Sequence, residues 1–220
     1  NKVPVTRWLD DGLAIASVEY RLSPEARFPA QVHDIKAAIR FLRQSAAKYG
    51  FDRDRFIIAG ASAGGHLAAL VGVTNKHKEL EGAVGQYKAS SDVQAIVSFY
   101  GASNLESILA QSTEHGLSVR VPALTLLLGD LPDKKVELAK LASPPCHIDS
   151  TDPPLLLIHG DADPQMPPEQ SDELHAAYQQ LHRPSTLFVV KGGQHGGDEF
   201  YSATRLTNLA ELIKEALSPK

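Results

Sequence analysis

Three short stretches hold residue types that could do chemistry together. Gly60-Ala61-Ser62-Ala63-Gly64 has the pattern G-x-S-x-G, with Gly65 directly after it. His159-Gly160-Asp161-Ala162-Asp163 sets a histidine and two carboxylates close together, and His195 lies in Gly192-Gly193-Gln194-His195-Gly196-Gly197. A serine hydroxyl is a poor nucleophile near neutral pH. It needs a base to take its proton, and the base needs an acid to orient it and balance its charge. Ser62, then Asp161 or Asp163, then His195 supply these parts in the order serine, acid, histidine that accompanies a G-x-S-x-G elbow. The chemistry would be acyl transfer, with attack of Ser62 on a carbonyl carbon, a tetrahedral intermediate, and release of the acyl group to water.

Each stretch follows an apolar run that reads as a strand. Phe56–Ala59 precedes the serine motif, and Ala63 to about Thr74 opens a helix rich in small residues, which is the strand–turn–helix setting an elbow needs. The turn strains the nucleophile's backbone, so Ala61, Ala63, Gly64 and Gly65 are expected to keep its surroundings clear. The helix start adds free N–H groups and a positive dipole end where an oxyanion would form. Leu155–Ile158 precedes the acid stretch and Thr186–Val190 precedes the His195 loop, placing acid and base at strand C-terminal ends, where open parallel sheets bind ligands. Leu13–Tyr20 and Ala95–Tyr100 read as further strands. Helical spacing appears at Val32, Ile35, Ile39 and Leu42, with a stop at Tyr49-Gly50. It recurs at Leu174, Ala177, Tyr178 and Leu181 after Pro167-Pro168-Glu169, and at Leu209, Leu212, Ile213 and Leu217. Continuous apolar strands alternating with amphipathic helices predict an α/β domain with a parallel sheet covered on both faces. Residues 103–147 break the rhythm, with helix-like pieces such as Lys135–Leu141, and read either as an insertion covering the site or as a surface excursion.

Composition bounds the partners. The chain has 220 residues, enough for one domain with a sizeable core, and a net charge of −4. Its basic residues are scattered, with only Lys134-Lys135 adjacent among candidates for a cluster, so nucleic acid and anionic membrane are not expected partners. No apolar run approaches the length of a membrane span. A single cysteine, Cys146, excludes an internal disulfide and a cysteine-rich metal site, and reads as a small, at least half-buried residue. His66 should sit on the helix body, away from the elbow tip. His33, His77, His115, His147, His159, His175 and His182 have weaker contexts than His195.

The chain resembles the bacterial carboxylesterases related to feruloyl and acetyl-xylan esterases, kin to the hormone-sensitive-lipase group. The matching stretches are Tyr20-Arg21-Leu22-Ser23-Pro24 with Phe28-Pro29-Ala30, Gly60 to Gly65, His159 to Pro164 and Gly193 to Gly196. The resemblance covers essentially the whole chain. It implies the α/β-hydrolase fold, with Ser62 as nucleophile, Asp163 as triad acid, His195 as base, and the Ala63 backbone N–H in the oxyanion hole. Asp161 is the less favoured acid, because the family pattern sets the acid four residues after the histidine of His-Gly. The substrate implied is a small-molecule ester, with no metal and no organic cofactor.

The front of the chain departs from that pattern. The family carries a His-Gly-Gly-rich loop that supplies the remaining oxyanion donors, and none occurs before Val3. Residues from about Val3 to Asp11 should correspond to the helix after it. The strand bearing that loop would lie between the Leu13–Tyr20 and Phe56–Ala59 runs. The chain begins Asn1-Lys2 and its only methionine is Met166. The expectation is therefore an N-terminal segment of the same protein, either held noncovalently after a cut before Asn1 or continuous with it. Two other functions compete: a peptidase of the prolyl-oligopeptidase kind, which shares the triad order, and a non-catalytic binding protein of the same fold. The ester, the compartment and the oligomeric state stay open.

Overall fold

A computed structural model describes residues 4–85 and 87–218. Four parallel strands form one sheet in the order β1-β2-β3-β4: β1 Ile57–Ala61, β2 Ala95–Phe99, β3 Leu155–Gly160 and β4 Ser185–Val190. The helices in chain order are α1 Ala30–Gln44, α2 Ala46–Tyr49, α3 Ala63–Gly72, α4 Lys78–Glu81, α5 Ile108–Gln111, α6 Glu114–Leu128, α7 Val136–Leu141, α8 Glu169–Gln180 and α9 Ala203–Ala216. The strands carry apolar side chains on both faces because both faces are covered. Ile96, Leu155 and Leu157 join the core beneath α1, α3 and α8; Val97, Phe99, Leu156, Ile158 and Val190 join a second core beneath α9.

Several boundaries move from where apolarity alone put them. β1 continues through Gly60-Ala61, and β3 through His159-Gly160, because parallel neighbours keep pairing the backbone after the apolar run ends: Ala61 lies opposite Phe99 and Gly160 opposite Val190. The first helix is broken at Ser45. Gly50 ends the short second helix in a left-handed conformation (φ 75°), which glycine adopts without a Cβ clash. Cys146 is exposed rather than half-buried, because the short turn that holds it buries Pro144.

The expected strand at Leu13–Tyr20 does not form. Its side chains alternate as a strand's do, with Leu13 and Ile15 against the α9-side core and Val18 and Tyr20 against the α1-side core. The run therefore lies in the layer of the sheet. Among the described residues, however, no strand neighbours it, so it has no ladder. It is fastened by side chains instead. The Arg21 guanidinium makes two 2.8 Å bonds to the Asp34 carboxylate of α1. β1 is correspondingly an edge of the sheet, less buried than β2 and β3, with Ala59 exposed. The helix expected from about Val3 to Asp11 is a single 3-10 turn, Thr6–Leu9, whose Trp8 is buried and donates its indole N–H to the Leu206 carbonyl; Val3 lies outside the described residues.

At the opposite end of the sheet from the serine motif, Asp152 is a buried carboxylate. It is 2 % exposed, and one of its oxygens accepts the Asp149 N–H. Burial, aided by the Asp149 charge, pushes it up to about 7 from 3.8. A raised carboxylate stabilises the fold fully at pH below its unfolded value and loses that contribution as pH rises through about 7. Asp152→Asn should therefore raise the melting temperature at pH 8 to 9, by an effect on the order of a few kcal/mol, and change it little only near pH 3, below the unfolded value. Equal shifts at both pH values in thermal melts would rule the titration out.

Candidate active site

The serine motif forms a tight strand-to-helix turn. Ser62 has φ 53°, ψ −118°, a conformation disfavoured for a residue with a Cβ, and α3 begins at the next residue. The Ser62 N–H is anchored to the Phe99 carbonyl at 2.9 Å, so β2 holds the strained residue in place. A Cβ on Gly60 would lie 2.1 Å from the Gly64 carbonyl oxygen, and one on Gly65 would lie 2.9 Å from the Phe99 oxygen. Both positions therefore admit only glycine. Gly64 faces open space instead, so packing does not require a glycine there. Ala63 stands exposed at the first helical position, where a backbone N–H has no acceptor one turn earlier.

The base and acid arrive from β4 and β3. Ser62 Oγ is 2.8 Å from His195 Nε2, and His195 Nδ1 is 2.7 Å from Asp163 Oδ2. With the proton of the neutral imidazole on Nδ1, the serine hydroxyl donates to Nε2 and the ring donates to the carboxylate. The other carboxylate oxygen, Asp163 Oδ1, accepts the N–H groups of Gln165 and Met166, both at 2.9 Å. Asp163 is 5 % exposed. Burial would raise its pKa, but hydrogen bonds from His159, His195 and these two N–H groups together hold it well below the usual carboxylate range. It therefore stays charged at any pH at which the imidazole is neutral. Arg120, on α6, also feels the Asp163 charge, which offsets part of the lowering that burial causes in the guanidinium.

Asp161 and Asp163 separate by partner. Asp161 is exposed, and its Oδ1 accepts the Gly192 N–H at 2.6 Å, pinning the start of the histidine loop. Asp163 faces the imidazole. The loop also lies directly on β3: Ala162 donates its N–H to the Gly193 carbonyl at 3.0 Å, and a Cβ on Gly160 would sit 2.1 Å from that same oxygen. Gly160 is thus the close-approach glycine that lets the loop reach across, a role its place at the end of an apolar run did not reveal.

His66 is buried in α3, with Nε2 2.6 Å from the Ala142 carbonyl, and plays no part at the elbow tip. His159 is buried beside the acid. Its Nδ1 is 2.6 Å from Ser171 Oγ, and its Nε2 is 3.1 Å from the Met166 carbonyl and 3.4 Å from Asp163 Oδ2. It braces the loop that carries Asp163. The segment between β2 and β3 holds α5, α6 and α7. Thr113, capping α6, donates its hydroxyl to the Pro164 carbonyl at 2.8 Å, so α6 starts against the turn that follows the acid.

A family model described as BD-FAE matches residues 1–178. The chain belongs to the BD-FAE family. Among curated proteins it is 29% identical over 219 residues to the esterase LipQ of Mycobacterium tuberculosis, covering 97% of this chain and 49% of that protein. It is 30% identical over 195 residues to the esterase LipC of the same organism, covering 88% of this chain and 47% of that one. The chain thus spans about half the length of the curated relatives it matches. Among solved structures, a truncated carbohydrate esterase from gut microbiota superposes with a TM-score of 0.84 at 34% identity, covering 92% of this chain and 74% of the other. An acetyl ester-xyloside bifunctional hydrolase from Caldicellulosiruptor lactoaceticus superposes with a TM-score of 0.77 at 27% identity, covering 97% and 75%. The BD-FAE chain therefore has the α/β-hydrolase fold.

Proposed function

We propose that this chain carries the catalytic residues of a serine carboxylesterase. The observation that carries the reading is the unbroken relay from Ser62 Oγ through His195 to the buried, charged Asp163. In that reading His195 Nε2 takes the Ser62 proton as Oγ attacks the ester carbonyl. Asp163 stabilises the imidazolium that forms, and the Ala63 N–H donates to the developing oxyanion. The imidazolium then protonates the leaving alcohol. A water attacks the acyl-enzyme by the same route in reverse.

For the substrate we take short acyl or aryl esters, including acetyl groups on sugars and feruloyl-type esters. The names of the carbohydrate esterase and the acetyl ester-xyloside hydrolase among its structural neighbours support the sugar-ester part of this reading. Residues 103–147 are read as the region that covers the site, since α6 starts at the turn after Asp163. The test is a panel of p-nitrophenyl acetate, acetylated xylo-oligosaccharide, methyl ferulate and a prolyl anilide on the full-length protein. Release of acetate or ferulate is expected. Cleavage of the anilide alone would make it a peptidase, and turnover of none would make it a binding protein.

The remaining oxyanion donors are assigned to a strand of the same protein that pairs with the outer edge of β1 and with residues 13–20. Two features support this: the outer edge of β1, which no strand among the described residues pairs, and the strand-like alternation of Leu13, Ile15, Val18 and Tyr20 within the sheet layer. Native mass spectrometry of the active protein should find more mass than residues 1–220 account for. Full activity from a species of only that mass would refute the added strand.

A further inference from the structure

Tyr100, the residue after β2, is the second strained position at this sheet edge. It has φ 40°, in the left-handed region that an aromatic residue rarely occupies. The main chain is forced there on both sides. The Tyr100 N–H is tied to the Ile158 carbonyl at 2.7 Å, and a Cβ on Gly101 would lie 2.6 Å from the His66 nitrogen. The result is a buried ring turned toward the histidine loop. Its centroid is 4.9 Å from that of His195, with the planes at 64°, an edge-to-face contact. A second edge-to-face contact, to Phe200 at 4.9 Å, and a 2.7 Å hydrogen bond between the Tyr100 and Tyr201 hydroxyls fix the ring itself.

His195 needs such a support. Its loop contains Gly192, Gly196 and Gly197, all at positive φ, and it is fastened at its start, by Asp161 and by the Gly193 carbonyl, rather than at the histidine. The two hydrogen bonds of the imidazole set directions for Nε2 and Nδ1 but leave the ring free to tilt about the line joining them. A hard surface against one face or edge removes that freedom. We infer that Tyr100 is a positioning residue for His195: its ring, locked by the hydroxyl bond to Tyr201 and by Phe200, sets the tilt of the imidazole so that Nε2 stays aimed at Ser62. Tyr100 acts through His195 and moves no proton.

This inference rests on the esterase reading, and the test separates the two. Tyr100→Asn keeps a residue that tolerates a left-handed backbone and deletes the ring, while Tyr100→Phe keeps the ring and deletes the hydroxyl. In the full-length protein, with p-nitrophenyl acetate, Tyr100→Asn should lower kcat by about 10- to 100-fold, the range a misplacement of about 1 Å produces. KM should stay near wild type, the melting temperature should fall because a buried ring is lost, and Tyr100→Phe should restore most of the rate. If Tyr100 served only the turn, the asparagine variant would keep its kcat, and that result overturns the inference. So would a Phe variant as slow as the Asn variant. Should Tyr100→Asn not fold, Phe200→Leu, which loosens the ring from behind, must lower kcat at constant KM; an unchanged kcat overturns it equally. No turnover by the wild-type protein would sink the esterase reading instead.

Discussion

Ser62→Ala should remove esterase turnover, lowering kcat by roughly four orders of magnitude or more, as deleting the nucleophile of a serine hydrolase does. The structure makes the variant a clean one. Ser62 is anchored through its backbone N–H to Phe99, and its hydroxyl points only at His195, so alanine keeps the elbow and deletes one atom. The melting temperature should hardly move. An organophosphonate should label the wild-type protein at Ser62 alone and leave the variant unlabelled, as peptide mass mapping would show. Near-wild-type activity in Ser62→Ala would end the serine-hydrolase reading, whatever the other residues do.

Asp163→Asn should cost a similar factor, on the order of 10⁴ in kcat, by the wrong-tautomer effect known for the equivalent change in a serine protease. The hydrogen bonds dictate why. Asp163 Oδ1 accepts two backbone N–H groups, from Gln165 and Met166, and Oδ2 accepts the His195 Nδ1–H. The asparagine carbonyl must keep the two backbone donors, so its amide N–H₂ is forced to face Nδ1. An N–H facing Nδ1 stabilises the tautomer with the proton on Nε2, and that tautomer cannot accept from Ser62. The loss should appear in kcat, with Ser62 still in place and phosphonate labelling slowed in proportion. In the wild-type protein the rate should also fall toward acid pH, since a protonated imidazole has no lone pair for the serine proton. A profile flat down to pH 4, or an active asparagine variant, would mean that another group is the base.

Much of this site was legible in the residues because its parts are local. An elbow is a six-residue event. Gly60 and Gly65 are needed where a Cβ would strike backbone atoms of the turn and of β2, and a glycine–serine pattern between an apolar run and a small-residue helix records that steric demand directly. Acid and base likewise each follow a strand, and strands buried on both faces appear as apolar runs whatever their neighbours.

The remainder depended on contacts between distant segments. The order of the four strands, and the two residues by which β1 and β3 outlast their apolar runs, come from backbone pairing with neighbours, which side-chain type does not encode. Asp161 and Asp163 are equivalent as types two positions apart. The fold assigns one to the Gly192 N–H and the other to His195, because only one of them is turned inward beneath the loop. Tyr100 and Tyr201 are far apart in sequence yet meet at 2.7 Å behind the imidazole, and only the strained turn after β2 aims them there. Leu13–Tyr20 shows the converse. Alternating apolar side chains place that run in the sheet layer, but a strand also needs a backbone partner, and pairing belongs to the assembled sheet rather than to any one segment.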